Sequence, residues 1–352
     1  MESVNVMEKD KSISIAKGIA IILMVMAHAR CPLWCQYYIN MFHMPLFFFF
    51  SGYCFKDVYL SDGKIYALKR IKGIYWPFVK WGMLFLLLHN VFYYLNLYNG
   101  EFGYRGEVQH LYSYYDYIKK SILVFVGMIH TEQLLGGYWF LQSLFFGSFI
   151  FYITIRIVRN GVIGGGILLL VSFMLLYFEI HTPVFSARDF LAAFFLLFGY
   201  YYKKIKLTLE NTCWIIPLGL LSVGLGTKYW QSSMVRLQWW SLLPYSCTAI
   251  TGVLMVFAIS KRVLNLERMR ETLVYIGDHT LEILTWHFLC FKVVSLIIIA
   301  IYSLPIEQLA EFPVIQQYAY QGWWLLYLCV GVALPLVLIL IANNHNIDNF
   351  LK

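Results

Sequence analysis

Charge is scarce in this chain. Only 13% of its 352 residues are Asp, Glu, Lys or Arg, whereas 60% are hydrophobic. A soluble domain of this length cannot hide so much apolar surface, and lipid can cover it. Acidic residues are the scarcest, 19 against 27 Lys and Arg. Within the apolar runs they are too sparse for an obvious proton-relay pump. The seven cysteines are scattered, with no CxxC pairs of the kind zinc needs and no disulfide-rich module. Cys31 and Cys35, four apart, have a spacing that invites a bridge, but ordinary thiols are the expectation. The chain also lacks a GxSxG elbow, a GKS or GKT phosphate loop, an HExxH pair, a fixed-period repeat and a low-complexity tract. No metal site and no permanently bound cofactor are expected.

What is present is a succession of apolar runs. The pattern predicts an all-α, polytopic membrane bundle, a single domain over 1–352, with about ten spans. These fall near 13–30, 42–58, 74–97, 138–158, 162–180, 188–202, 213–229, 242–260, 280–302 and 322–342. An amphipathic segment is expected at 115–130, at the membrane interface. The first run has no convincing small-x-small cleavage site and continues into Cys31-Pro32-Leu33-Trp34, so it reads as a span and not as a removable signal. No soluble catalytic domain is expected beside the bundle.

The net charge of +8 alone would admit nucleic acid, but its distribution points to a membrane. With the N-terminus inside, 18 Lys and Arg fall on inner segments, from Lys9 and Lys11 to Lys352. Seven fall outside: Arg30, Arg105, Lys119, Lys120, Arg188, Lys228 and Arg236. The positive-inside rule then places both termini in the cytoplasm, and an even span count keeps the alternation. The longest outer segment, about 98–137, is rich in tyrosine and carries Glu101, Glu107, Asp116 and Glu132. It reads as the mouth of a site, with no sharper role.

Four stretches carry the candidate chemistry. The first runs from Lys17 to His28, with apolar residues or glycine between. Eleven helical steps make about three turns, so both side chains share a face roughly 16 Å apart along the axis. A histidine at that depth is costly unless it faces protein or water, so His28 is a candidate general base, though a neutral imidazole satisfied by a carbonyl explains it equally well. The second stretch is Phe42-His43-Met44-Pro45-Leu46-Phe47-Phe48-Phe49-Phe50-Ser51-Gly52-Tyr53. Pro45 is tolerated in a first turn, and Ser51-Gly52 let another helix come close. His43 is either a substrate-orienting group or an interfacial histidine without a task. The third, Lys69-Arg70-Ile71-Lys72 before Trp76-Pro77, reads as a membrane anchor or, together with Lys17, as a phosphate grip. The fourth, Tyr275 to Phe288, places Glu282 and His287 inside an apolar run. Their spacing of five is poor for a same-face pair, so each is expected to find a partner on another helix.

In this order, these stretches resemble the acyltransferase-3 family of integral membrane acyltransferases, and most nearly its fucose 4-O-acetylase-like branch. Lys17 and His28 are similar to the family's opening Arg-x10-His, with lysine for arginine. FHMPLFFFFSGY is the most specific match. Arg70 fits the first arginine of a basic RxxR element, while Gly73 stands where the second belongs. Tyr138-Trp139-Phe140-Leu141 resembles the family's WFL, and Gly277 to His287 its closing GxxSLxIYxxH, with Thr280 for serine.

The resemblance implies ten spans, a cytoplasmic acyl-CoA donor and a sugar hydroxyl as acceptor. On that reading His28 is catalytic, Lys17, Arg70 and Lys72 bind acetyl-CoA, and His43 and Trp139 orient the acceptor. Glu282 and His287 are intramembrane polar partners, with no metal. Acetyl-CoA is a co-substrate. The other partners are membrane lipid, a glycan acceptor and the polysaccharide synthesis machinery, with no nucleic acid. The expected location is a bacterial plasma membrane. Export of a surface polysaccharide is the alternative from another class, and a non-catalytic assembly partner of a glycan synthase is a weaker third.

Overall fold

A computed structural model describes residues 10–104, 108–180, 182 and 185–344. Lys9, Arg105, Glu107 and Lys352, which entered the charge reading, lie outside them. The described residues form helices, turns and loops, with no strand among them. Among the described residues, five stretches are long and apolar enough to cross a bilayer: Lys11–His28, Gln133–Ile157, Trp239–Val263, Thr280–Tyr302 and Gln316–Ile341. Gly161–Tyr177 and Ile215–Tyr229 are apolar but shorter. The protein is a helical, multi-pass membrane protein.

The organising element is α1 (Lys11–His28). It begins at Asp10, whose carboxylate accepts from the Ser12 amide at 2.9 Å, satisfying one of the free donors of the first turn. It then touches α2 (Leu33–Asn40), α3 (His43–Tyr53), α12 (Leu242–Val263), α13 (Glu267–Asp278), α14 (Thr280–Tyr302) and α15 (Trp324–Asn344). Contact with α13 is close enough to require glycine. A Cβ on Gly277 would sit 1.8 Å from the Ser14 carbonyl oxygen, and one on Gly18 2.4 Å from that of Leu273. The Ser14 hydroxyl then donates to Asp278 Oδ1 at 2.7 Å, fixing the register.

The expected close approach at Ser51-Gly52 is present. There α3 crosses α10 (Ala187–Lys204), and a Cβ on Gly52 would lie 1.8 Å from the Leu196 carbonyl oxygen. Gly199 answers it from the other side, 2.0 Å from the Phe49 carbonyl oxygen. Lipid supplies no hydrophobic drive between helices, so backbones this close gain their stability from van der Waals contact.

Two expected spans look different in the structure. The 42–58 run forms an eleven-residue helix that stops at Tyr53. That is about 16 Å of helix, well short of the bilayer core of about 30 Å. The 74–97 run is divided: α4 (Gly63–Arg70) passes through a π-helical turn, Ile71–Tyr75, into α5 (Trp76–Leu87), and α6 (His89–Tyr94) follows after Leu88.

The amphipathic segment appears as α7 (Tyr114–Gly127). Ser113 and Asp116 form a reciprocal capping box at its start, and those bonds from Ser113 hold the Asp116 carboxyl below its ordinary range. The remaining long helices are α8 (Trp139–Ile157), α9 (Gly161–Tyr177) and α11 (Ile215–Tyr229). Apolar side chains on α9 and α15 point away from the bundle, Val162 86% exposed and Leu325 54%, as a lipid-facing surface requires.

Candidate active site

Two cavities open along α1. The first, of about 410 Å³, lies at the Lys17 end and is lined by Lys17, Ile21 and Met24 of α1, by Phe50, Ser51 and Cys54, and by Lys69 and Arg70. The second, of about 670 Å³, lies at the other end and is lined by Met24, Ala27 and His28 of α1, with His43, Trp139, Gln142 and Arg188 among others. The shared face expected of Lys17 and His28 is therefore real, but the two residues line different chambers. Met24, Met44 and Leu284 line both cavities and form the partition between them.

Cations at the first cavity are fastened by neighbouring hydroxyl and aromatic groups. Arg70 Nη1 donates to Ser51 Oγ at 3.1 Å, and its guanidinium lies 4.8 Å from the Tyr66 ring centroid. Its Nε is buried without a hydrogen-bond partner. Lys69 Nζ donates to Tyr59 Oη at 2.9 Å. Lys72, expected beside them, is exposed and does not line the cavity. Lys69 occupies that place: Lys69, Arg70, Gly73 and Ile74 line the cavity at helical spacing, and Lys72, two residues from Arg70, faces away. Gly73 does line the cavity, and a Cβ there would meet nothing within 4 Å.

In the second chamber the decisive contact is between two histidines. His28 Nδ1 lies 2.9 Å from His287 Nε2. His287 Nδ1 faces two carbonyl oxygens of its own helix, Ile283 at 2.9 Å and Leu284 at 3.0 Å. Carbonyls only accept, so Nδ1 of His287 carries the proton and its Nε2 is a bare acceptor. His28 must then donate from Nδ1, which leaves Nε2 of His28 unprotonated. Two backbone carbonyls thus set the tautomer of His287 and, through it, that of His28. Proton abstraction by His28 makes an imidazolium whose Nδ1–H already has its acceptor. The ring is half-buried and stacks on Phe288, with centroids 4.8 Å apart.

Supporting contacts hold this pair. Tyr138 Oη lies 2.8 Å from Thr285 Oγ1, whose own proton goes to the Leu281 carbonyl, so Tyr138 is the donor. That ties the start of α8 to α14 two residues before His287. Gly136 and Gly137, just ahead of Trp139, lie against Phe312 and Leu284, where a Cβ would come within 3.1 Å and 2.9 Å. His43 is buried and donates from Nδ1 to the Ile39 carbonyl at 2.8 Å, leaving its Nε2 as an acceptor. The Arg188 guanidinium lies 5.3 Å from the Trp139 ring centroid. Glu282 stands apart: it lines neither cavity, and its Oε2 is buried without a hydrogen-bond partner.

A match to the whole bundle decides the family. The family model described as an acyltransferase domain, Acyl_transf_3, matches residues 10–342. The chain belongs to the acyltransferase-3 family. No curated protein and no solved structure matches it. Membership makes acyl transfer the activity to which the two chambers must be fitted, and an acyltransferase needs a base beside its acceptor.

By sequence, His28 and His287 are separate candidates. Their pairing spans 259 positions, and only the tertiary fold brings α1 and α14 together. The long segment before α8, by sequence a mouth with no sharper role, is pinned from within. His89 Nδ1 lies 2.9 Å from Glu132 Oε2, and Nε2 lies 3.0 Å from the His110 carbonyl oxygen. Both side chains of the His89–Glu132 pair are fully buried. Cys31 and Cys35 are both free thiols.

Proposed function

We propose that this acyltransferase moves an acetyl group from cytoplasmic acetyl-CoA to a hydroxyl of a cell-envelope or exported polysaccharide, in a bacterial plasma membrane. The bundle crosses that membrane ten times, with both termini in the cytoplasm. The observation that carries the reading is the His28–His287 pair. It is a base of fixed tautomer on the far side of a thin partition from a cluster of cations.

Phosphates of CoA sit at Lys17, Lys69 and Arg70, where compact and forked donors meet them. The roughly 16 Å from Lys17 to His28 along an unbroken helix is about the reach of an extended pantetheine arm. The arm passes between Met24, Met44 and Leu284 and presents the thioester to His28. An acceptor hydroxyl, held by His43 and Trp139, gives its proton to His28 Nε2 as its oxygen attacks the thioester carbonyl. The tetrahedral intermediate collapses, the C–S bond breaks, and His28 returns the proton to the departing thiolate. Throughout, His28 Nδ1–H stays bonded to His287.

The test is transfer of radiolabelled acetyl from acetyl-CoA to envelope glycan in membranes carrying wild type or His28→Ala. Label with wild type and none with the variant, at equal protein levels, is expected. Equal label in both removes His28 from the chemistry.

A further inference from the structure

Three guanidinium groups line the His28 chamber: Arg30, Arg188 and Arg236. Among the described residues no carboxylate side chain lines it with them. They come from three distant places: the turn after α1, the first turn of α10, and the loop between α11 and α12. None makes an ion pair with a described carboxylate. Arg30 shows the plainest sign of an unmet demand. Its φ of 62° belongs to the left-handed turn that closes α1, where the Arg30 and Cys31 amides donate to the Ala27 and Met26 carbonyls, so the sign lies in the side chain. Its Nε is buried with no hydrogen-bond partner, in a class of atoms that is almost always paired.

Topology adds a second argument. Arginine on the non-cytoplasmic side runs against the bias that orients a membrane protein. These three are among the seven basic residues assigned there, and they converge on one chamber. Arg30 also opposes the positive charge that His28 acquires when it takes a proton, while the buried Asp189 carboxylate acts on Arg188. A chamber built this way works best when its ligand supplies the missing negative charge.

We infer that the acceptor is an anionic saccharide, bearing a carboxylate or phosphate group near the hydroxyl that is acylated. The inference deepens the acyl-transfer reading and names its substrate class. The anion takes the free donors of Arg30, Arg188 and Arg236, and the neutral amides and hydroxyls of the chamber take the sugar hydroxyls.

The experiment measures binding to the full-length protein in detergent by calorimetry, with paired probes. These are galacturonic acid trisaccharide against its methyl ester, and glucose 1-phosphate against glucose. At least one anionic probe is expected to bind tenfold or more tightly than its neutral twin, with the preference fading as salt rises. Arg236→Gln, at an exposed position, and Arg30→Gly, which suits the left-handed backbone, should each weaken anion binding about tenfold or more. Binding of the neutral twins should not change.

Whichever anionic probe binds names the source of the charge. Equal binding of both twins, a preference that survives both variants, or no binding of either anionic probe at millimolar concentration overturns the proposal. Acetyl transfer is measured on the same preparations. Anion preference without transfer would keep the anion site and overturn the acetyl-transfer reading on which its role as acceptor site rests, and transfer without anion preference would keep that reading and overturn the inference.

Discussion

Replacing His287 by alanine tests the dyad more sharply than replacing His28. The substitution leaves the base in place and removes only the acceptor of its Nδ1–H, 2.9 Å away. In the resting enzyme that bond joins two neutral rings. When His28 takes the acceptor's proton the same bond becomes charge-assisted, a class worth about 1.5–3 kcal/mol against about 1 kcal/mol for a neutral one. Only the difference between the two states lowers the barrier. With about 1.4 kcal/mol per tenfold in rate, His287→Ala should slow turnover about tenfold, and up to about a hundredfold if the freed His28 ring also changes tautomer.

Loss of the base itself in His28→Ala should cost about 10² to 10⁴. Because the two residues act as one unit, the double variant should be no slower than His28→Ala alone. His287→Gln, whose amide oxygen can accept the same proton, should recover part of the loss. The assay is steady-state acetyl transfer in membranes, with detergent size-exclusion profiles confirming that each variant folds. A double variant slower by the product of the two single effects would show that the histidines work independently, and a fully active His287→Ala would refute the relay.

Three further outcomes follow from the geometry. Gly73→Arg fills open space in the first cavity and adds a cation beside Arg70, so KM for acetyl-CoA should fall about two- to fivefold with kcat unchanged. An unchanged KM would mean that the phosphates sit elsewhere. Glu132→Ala leaves His89 buried without its carboxylate, and breaking a buried pair from one side costs about 3–5 kcal/mol, which should appear as a clear drop in Tm. Leu284→Trp, at the partition, should block transfer while acetyl-CoA still binds at the Lys17 end, as measured by equilibrium dialysis.

Much of this site was legible in the sequence where it depended on helical period. Lys17, Ile21, Met24 and His28 fall on one face of α1 by spacing alone. Ser51-Gly52 announced a close crossing through the size of its side chains, and α10 makes it. What sequence could not supply was pairing between distant helices. Nothing local says that His287 answers His28, because the five-residue spacing to Glu282 excludes a partner nearby without naming one far away. The basic element failed for a different reason. Lys72 was chosen as a member of a basic cluster, but two residues are about 200° on a helix, so it faces away from Arg70, and Lys69 lines the cavity instead. Arg30, Arg188 and Arg236 were visible only as exceptions to a charge bias, since three separate segments give no spacing to read.

In the proposed reaction, the partition between the chambers explains why the base and the phosphate-binding cations lie at opposite ends of one helix. A donor confined to one side of a membrane and an acceptor confined to the other cannot meet in a single open cavity without creating a leak for ions and water. Met24, Met44 and Leu284 are 3%, 7% and 6% exposed, so the wall is apolar and about one side chain thick. Methionine suits such a wall, because three rotatable bonds and a polarisable sulfur let it close around a thin chain and close again behind it. A pantetheine arm is such a chain, whereas a hydrated saccharide is too wide and too polar to follow it. On this argument the donor's arm crosses the wall while the acceptor stays in the His28 chamber, and the rigid length of α1 sets how far the thioester must reach.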